Sequence, residues 1–283
     1  MIADGNARER RRCRRSCPAS LMAPRQRPSR TCASSSLPMA VESGQATGTD
    51  PRRTVRRLSA PLVPRKESNL AHAVRSGPGR GTMFLADISG YTAFLRAVAE
   101  VHAADMAAGA FVPKAYPLLG SLLDGIIERV APPFAISKLE GDAVFGFAPE
   151  DELNLRGHAL LDCLAACYEA YRGRLEAARD LMTCTCDACS SIDGLDLKFV
   201  LHHGEYVLQP IAGHQELLGP DVTVAHLLMK NHASEQIGRS AYALFTESAV
   251  GHLEVPVAHA VQIDERYEHY ATTRAYVLAL PFK

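Results

Sequence analysis

Residues 132–150 read PPFAISKLEGDAVFGFAPE, two apolar runs joined at a tight Glu140-Gly141-Asp142 corner, and no other stretch limits the possible folds as much. A glycine corner between two such runs is the local mark of a hairpin. A hairpin means antiparallel pairing, which excludes the strict strand–helix alternation of a doubly wound parallel sheet. Before it, TMFLADI (82–88) reads as a buried strand. PLLGSLLDGIIERVA (117–131) then repeats Leu119, Leu122, Leu123, Ile126 and Ile127 at spacings of 3 and 4, one buried helix face. After the hairpin, residues 154–181 form a long amphipathic helix. LDLKFVLHHGEYVLQPIAG (195–213) reads as strand, glycine turn and strand, and QELLGPDVTVAHLLMKN (215–231) as a short edge strand feeding a helix. YALFT, PVAHAVQI and TRAYVLAL complete the sheet. This order predicts an α+β sandwich of ferredoxin-like type, with an antiparallel-rich sheet and helices on one face. No repeat is visible in 81–283, so a single domain is expected there.

The 283-residue chain is formally neutral, yet residues 1–80 carry 17 Lys or Arg against 5 Asp or Glu, a balance of +12, leaving 14 against 26, or −12, for the rest. RERRRCRRSC and PRRTVRRLSAPLVPRKE show neither the period of a strand nor that of a helix. Residues 1–80 are therefore expected to be a disordered basic extension. A nucleic-acid or membrane-binding arm and a targeting extension are the alternatives weighed against a solvated tail, or an upstream start with Met83 as the true first residue. No apolar stretch reaches the roughly 18 residues a bilayer requires, and no signal-peptide core follows the arginines. The expectation is a cytoplasmic protein with no membrane or nucleic-acid partner.

FLADISG (84–90) and KLEGDAVFG (138–146) each set a lone aspartate, Asp87 and Asp142, at the edge of an apolar strand. An ionised carboxylate there is costly unless compensated, and a cation is one candidate. Each motif alone is an ordinary turn or hairpin corner. Together, and with GPDVTVAHLL (219–228) after a short strand, they resemble the catalytic domain of the class III nucleotidyl cyclases over residues 82 to about 280. The likeness is greatest to a little-characterised bacterial branch of that superfamily with an added cysteine cluster.

The resemblance implies a ferredoxin-like core in which Asp87 and Asp142 hold two Mg²⁺ or Mn²⁺ ions on a nucleoside triphosphate. Hard divalent ions prefer carboxylate oxygens, and two of them can activate a ribose hydroxyl and neutralise the leaving pyrophosphate. Backbone N–H groups around Ser89, Gly90 and Tyr91 could cradle phosphate oxygens where a helix begins. Lys138 and Glu216 fall at the family's base-reading positions, with a charge pattern of the adenine-using type, so ATP is favoured. The family builds its site from two domains, so a homodimer is expected. The later motif departs from the family: where active members carry Asn and Arg, this chain has Thr223 and Leu227. Losing such an electrostatic donor costs roughly 10²–10³ in rate. His226 or Lys230 are the candidate substitutes, and Arg266 or Arg274 for the family's triphosphate-binding lysine. Three readings follow: a nucleotide- and metal-binding regulatory module with little or no turnover, an active adenylate cyclase, and a zinc-stapled interaction domain.

Cys184, Cys186 and Cys189 form C-x-C-x-x-C in a polar loop over 182–194. Thiolates so close suit one tetrahedral Zn²⁺. His202 and His203 are too distant along their strand to be the fourth ligand, which leaves a partner subunit, water or Asp187. Cys163 and Cys167, one turn apart on the long helix, read as core thiols.

Overall fold

The computed structural model describes residues 76–109 and 112–282, and the expected basic extension lies outside them up to position 75. The sheet is built around β1 (Gly77–Ser89), which pairs antiparallel with a strand on either side. Met83, Phe84, Leu85 and Ala86 are all fully buried. An unbroken apolar run suits a strand covered on both faces, because alternate side chains then enter different cores. Phe84, Ala86 and Ile88 enter one core, Met83 and Leu85 the other. The strand starts at Gly77, ahead of the Thr82 expected from hydropathy, because Gly77–Gly81 pair with β4.

From β1 the chain runs through α1 (Tyr91–Val101), α2 (Ala103–Ala107) and α3 (Ala115–Val130) to the hairpin β2 (Ala135–Glu140) and β3 (Ala143–Pro149). Next come α4 (Gly157–Leu181), the one-turn α5 (Asp187–Ser190) and β4 (Asp196–Ile211). These strands lie in the order β2-β3-β1-β4, all antiparallel, which is the ferredoxin-like arrangement. The remainder comprises β5 (His214–Leu218), α6 (Pro220–Leu227), α7 (Ala233–Ile237), β6 (Tyr242–Thr246), α8 (Glu247–Leu253), β7 (Val261–Glu265) and β8 (Thr273–Ala279). It extends the sheet as β4-β6-β8-β7, with β6 parallel to β4 and β5 folded back on the end of β4.

The long helices cover one face, as the sequence predicts. α3 buries Leu119, Leu122, Ile126 and Val130, and α4 buries Leu160, Leu164, Cys167, Tyr171 and Leu175, against Phe84, Phe134 and Phe199. The other face is equally apolar, carrying Met83, Leu85, Phe145 and Val200, and it is covered by the short α6 and α7 through Val222, Ala225 and Ala233.

One expectation is corrected. β4 continues unbroken through Gly204, where a glycine turn was predicted. The glycine serves close approach instead, since a Cβ there would strike the Asp221 carboxylate at the start of α6. Asp221 Oδ2 accepts a hydrogen bond from the Glu205 backbone N–H at 2.7 Å. Among the described residues no helix is long and apolar enough to cross a membrane.

Candidate functional site

Asp87 lies near the end of β1, and Asp142 sits on the β2–β3 corner, where Gly141 adopts the left-handed φ of 66° that closes the turn. The β1–β3 register sets Asp87 opposite Ala143, and the Ile88 N–H donates to the Asp142 carbonyl at 3.3 Å. The two motifs are thereby brought together at one end of the sheet. Lys198 of β4 stands opposite Asp87 in register, its Nζ 2.9 Å from Asp87 Oδ2 and 3.1 Å from the Met229 carbonyl. Part of the compensation that Asp87 requires is therefore a lysine of the same chain. Among the described residues no ammonium lies in such direct contact with Asp142. Burial and the negative Asp87 raise its carboxyl above the usual carboxylate range, while its own backbone N–H and Lys198 offset this only partly.

Both carboxylates border a cavity of about 620 Å³, together with Lys198, Lys230, Asn231 and the Ser89–Ala93 segment. Gly90 caps α1 with φ 85°, and a Cβ on it would come within 3.1 Å of the Gly194 carbonyl. A larger residue is excluded on both counts. The first turn of α1 contains no acidic residue, so its positive end favours an anion in the cavity. The site thus combines hard oxygen donors for a cation with a helix terminus and two ammonium groups for an anion.

The other expected residues divide between places. Ser89, Gly90, Tyr91 and Lys230 line the cavity. Lys138 and Glu216 do meet, at 3.8 Å, but away from that lining, with Lys138 also 2.9 Å from Glu140 and its ammonium 5.7 Å from the Phe145 ring centre. His226 is drawn to the same group, 3.3 Å from Glu140 and packed on Phe145. Burial lowers its pKa. Thr223 is exposed and donates back to the Gly219 carbonyl at 3.2 Å. Arg274 is held by Asp264 and Glu247, so of the candidate cations only Lys230 reaches the cavity. Lys198 went unrecognised in the sequence because a lysine inside DLKFVL reads as one polar position in a strand. Only the β1–β4 register reveals its partner.

At the far end of α1, Cys184, Cys186 and Cys189 gather round His102, whose Nε2 is 3.7, 3.5 and 3.5 Å from their respective sulfurs. His102 occupies the junction of α1 and α2. It lies 82 to 87 residues from the cysteines in sequence, and no local pattern links it to them. The Cys189 backbone N–H donates to Cys186 Sγ at 3.4 Å, and mainly through this bond the Cys186 thiol is lowered to about 7. Burial pushes Cys189 up to about 12. Cys167 is buried under α3, its pKa also raised to about 12 by burial, in keeping with a core thiol.

Fold and site together define a ferredoxin-like α+β domain with a carboxylate–lysine cavity at one end of its sheet. Over 160 residues the chain is 30% identical to "Uncharacterized protein Rv2561/Rv2562" of Mycobacterium tuberculosis, covering 54% of this chain and 72% of that protein. It belongs to that protein's family. A family model described as "Protein of unknown function (DUF2652)" matches residues 119–237. Among solved structures, similarity is found to the adenylyl cyclase CyaB from P. aeruginosa, at TM-score 0.49 and 12% identity over 72% of this chain and 96% of that one. The guanylyl cyclase Cya2 gives 0.48 and 13% over 74% and 98%. A bacterial light-regulated adenylyl cyclase gives 0.47 and 14% over 72% of this chain and 53% of that one, so the chain spans about half its length.

Proposed function

We propose that this chain is a divergent class III cyclase-like module that binds a purine nucleoside triphosphate, with ATP favoured, together with Mg²⁺ or Mn²⁺, and turns it over weakly or not at all. The observation that carries the reading is the convergence of Asp87 and Asp142 on a cavity that also receives the start of α1 and two lysines. The donor set fits a divalent ion: with both carboxylates ionised, Asp87, Asp142 and Lys198 sum to one negative charge, and a bound cation would offset the burial and the Asp87 charge that raise the Asp142 carboxyl. That charge supports one ion rather than two, unless the triphosphate brings the rest of the negative charge. When bound, the ion would supply charge neutralisation at the phosphates. The chain's own groups would do the remainder, with Gly90–Thr92 N–H groups, Lys198 and Lys230 orienting phosphate oxygens.

Low turnover is argued from Leu227, which offers no hydrogen bond to a developing charge, and from Thr223, whose hydroxyl is turned to its own helix. The alternative, an active adenylate cyclase, draws on Lys230 in the cavity and on the Lys138–Glu216 pair. That pair is partly exposed, and exposed pairs of this kind contribute only about 0–1 kcal/mol, so its members can exchange each other for a base at little cost. Because the pair stands outside the cavity lining, we further propose that a second copy completes the site. Sedimentation showing only monomer across the micromolar range would remove that part.

The test is calorimetric titration of ATP and GTP in Mn²⁺ with the wild-type chain and Asp142→Asn, followed by assay for cyclic nucleotide. The module predicts Mn²⁺-dependent ATP binding that weakens at least about tenfold in Asp142→Asn, equivalent to about 1.4 kcal/mol, with little product. Sustained product formation lost in Asp142→Asn identifies the enzyme instead, and absence of nucleotide binding in the wild type overturns both.

A further inference from the structure

We propose that His102, Cys184, Cys186 and Cys189 form a closed tetrahedral Zn²⁺ centre that fastens the cysteine loop to the end of α1. The sequence supplies three thiols, and the structure supplies the fourth ligand. The geometry is specific. With Zn–S of about 2.3 Å and Zn–N of about 2.0 Å, a regular tetrahedron has sulfur–nitrogen edges of about 3.5 Å. The three observed edges from His102 Nε2 are 3.5, 3.5 and 3.7 Å. All four ligand atoms lie within 4.8 Å of one another, as a single ion requires. The cysteines are free rather than paired, so no disulfide accounts for the gathering.

The chemistry selects the ion. Three thiolates and an imidazole form a soft, nitrogen-containing set of the Cys₃His type used for structural zinc. Such a centre carries one net negative charge. Lys114 lines the small crevice beside Cys184 and Cys189 and places a positive charge near it. The Cys189 N–H bond to Cys186 Sγ is the kind of outer support that stabilises a ligating thiolate. Four protein ligands leave no open position, so the role is structural rather than catalytic.

What the ion would hold can be named. α5 is one turn, followed by a short 3₁₀ turn over Ser191–Gly194, and neither has the length to persist alone. Both ends of α1 touch this segment, His102 through the cluster and Gly90 against the Gly194 carbonyl. The 11 residues of α1 span about 16 Å at 1.5 Å per residue. The centre is therefore a helix length from the acidic cavity and anchors the helix whose other end lines it. This inference does not depend on nucleotide binding.

The experiment uses the full chain purified without chelator. Elemental analysis should find one zinc per chain, falling several-fold in both Cys186→Ser and His102→Gln but not in Cys163→Ser. Wild-type protein with no metal and an unchanged melting temperature, or full zinc content in His102→Gln, overturns the assignment. Should the variants fold poorly, Co²⁺ added to the zinc-stripped wild-type chain decides: intense visible d–d bands with thiolate charge transfer mark a tetrahedral sulfur-rich site. The weak spectrum of octahedral Co²⁺ would refute it, and iron in place of zinc would refute the choice of ion.

Discussion

Replacing Lys198 separates two effects that the acidic cavity joins. Its side chain and that of Asp87 are 17% and 16% exposed and 2.9 Å apart. Removing one member of a fully buried pair costs about 3–5 kcal/mol, because the survivor is left uncompensated. The residual exposure, and a methionine that keeps the apolar stem of the lysine, place Lys198→Met at the lower end, about 3 kcal/mol. For a domain of this size that is a fall in Tm of roughly 6–12 °C. The same change leaves Asp87 without its paired ammonium, so the site gains affinity for a divalent ion. An ion at a hundred times its Kd stabilises the folded state by about 2.7 kcal/mol, nearly the whole loss. The assay is thermal unfolding of both proteins in buffer freed of divalent cations on a chelating resin, then titrated with Mn²⁺. Lys198→Met should melt well below the wild type without Mn²⁺ and recover most of the difference with it, while the wild type shifts less. Equal Mn²⁺ shifts in the two proteins, or equal stability without Mn²⁺, would falsify the idea that lysine and cation compete for Asp87.

Gly204→Ala should cost about 2–4 kcal/mol, combining overpacking with displacement of a charge-assisted hydrogen bond. In an Asp221→Ala background the same change should cost less than about 1 kcal/mol, and additive losses by urea unfolding would disprove the close-approach account. The His203 pKa is lowered to about 4, first by burial and then by His252, whose ring stacks on it at 3.8 Å. Between that value and 6.5 the unfolded chain binds the extra proton, so stability should fall as pH drops through this window. His203→Gln should flatten that part of the stability–pH curve, and an unchanged slope would show that other groups set it.

The hairpin, the buried faces of α3 and α4 and the element order are legible in sequence because they rest on local periodicity, which a window of ten or twenty residues contains. Asp87 and Asp142 are legible for the same reason, as isolated charges in apolar runs. Lys198, His102 and the function of Gly204 are not. Each is defined by a partner brought near by sheet register or helix packing: Asp87 for Lys198, three thiols 82 to 87 residues away for His102, and Asp221 for Gly204. The helix of α6 is legible in residues 215–231, but its place with α7 on the second face of the sheet is not, because both are too short for a strong amphipathic signal. Only the apolar underside of β1 and β3 shows that something must cover it.

The central position of β1 also governs when the cavity can come into being. Its neighbour β4 is distant in sequence, with Thr82 and His203 in contact across 121 residues. Pairings of that separation close large loops and are slow to form. Asp87, Asp142, Lys198 and Lys230 are contributed by four successive parts of the chain, and although β1–β3 pairing brings Asp87 and Asp142 together, Lys198 joins them only once β4 has docked beside β1. A chain emerging during synthesis holds its carboxylates long before the lysines that answer them, so anything that binds this cavity can recognise only a finished molecule.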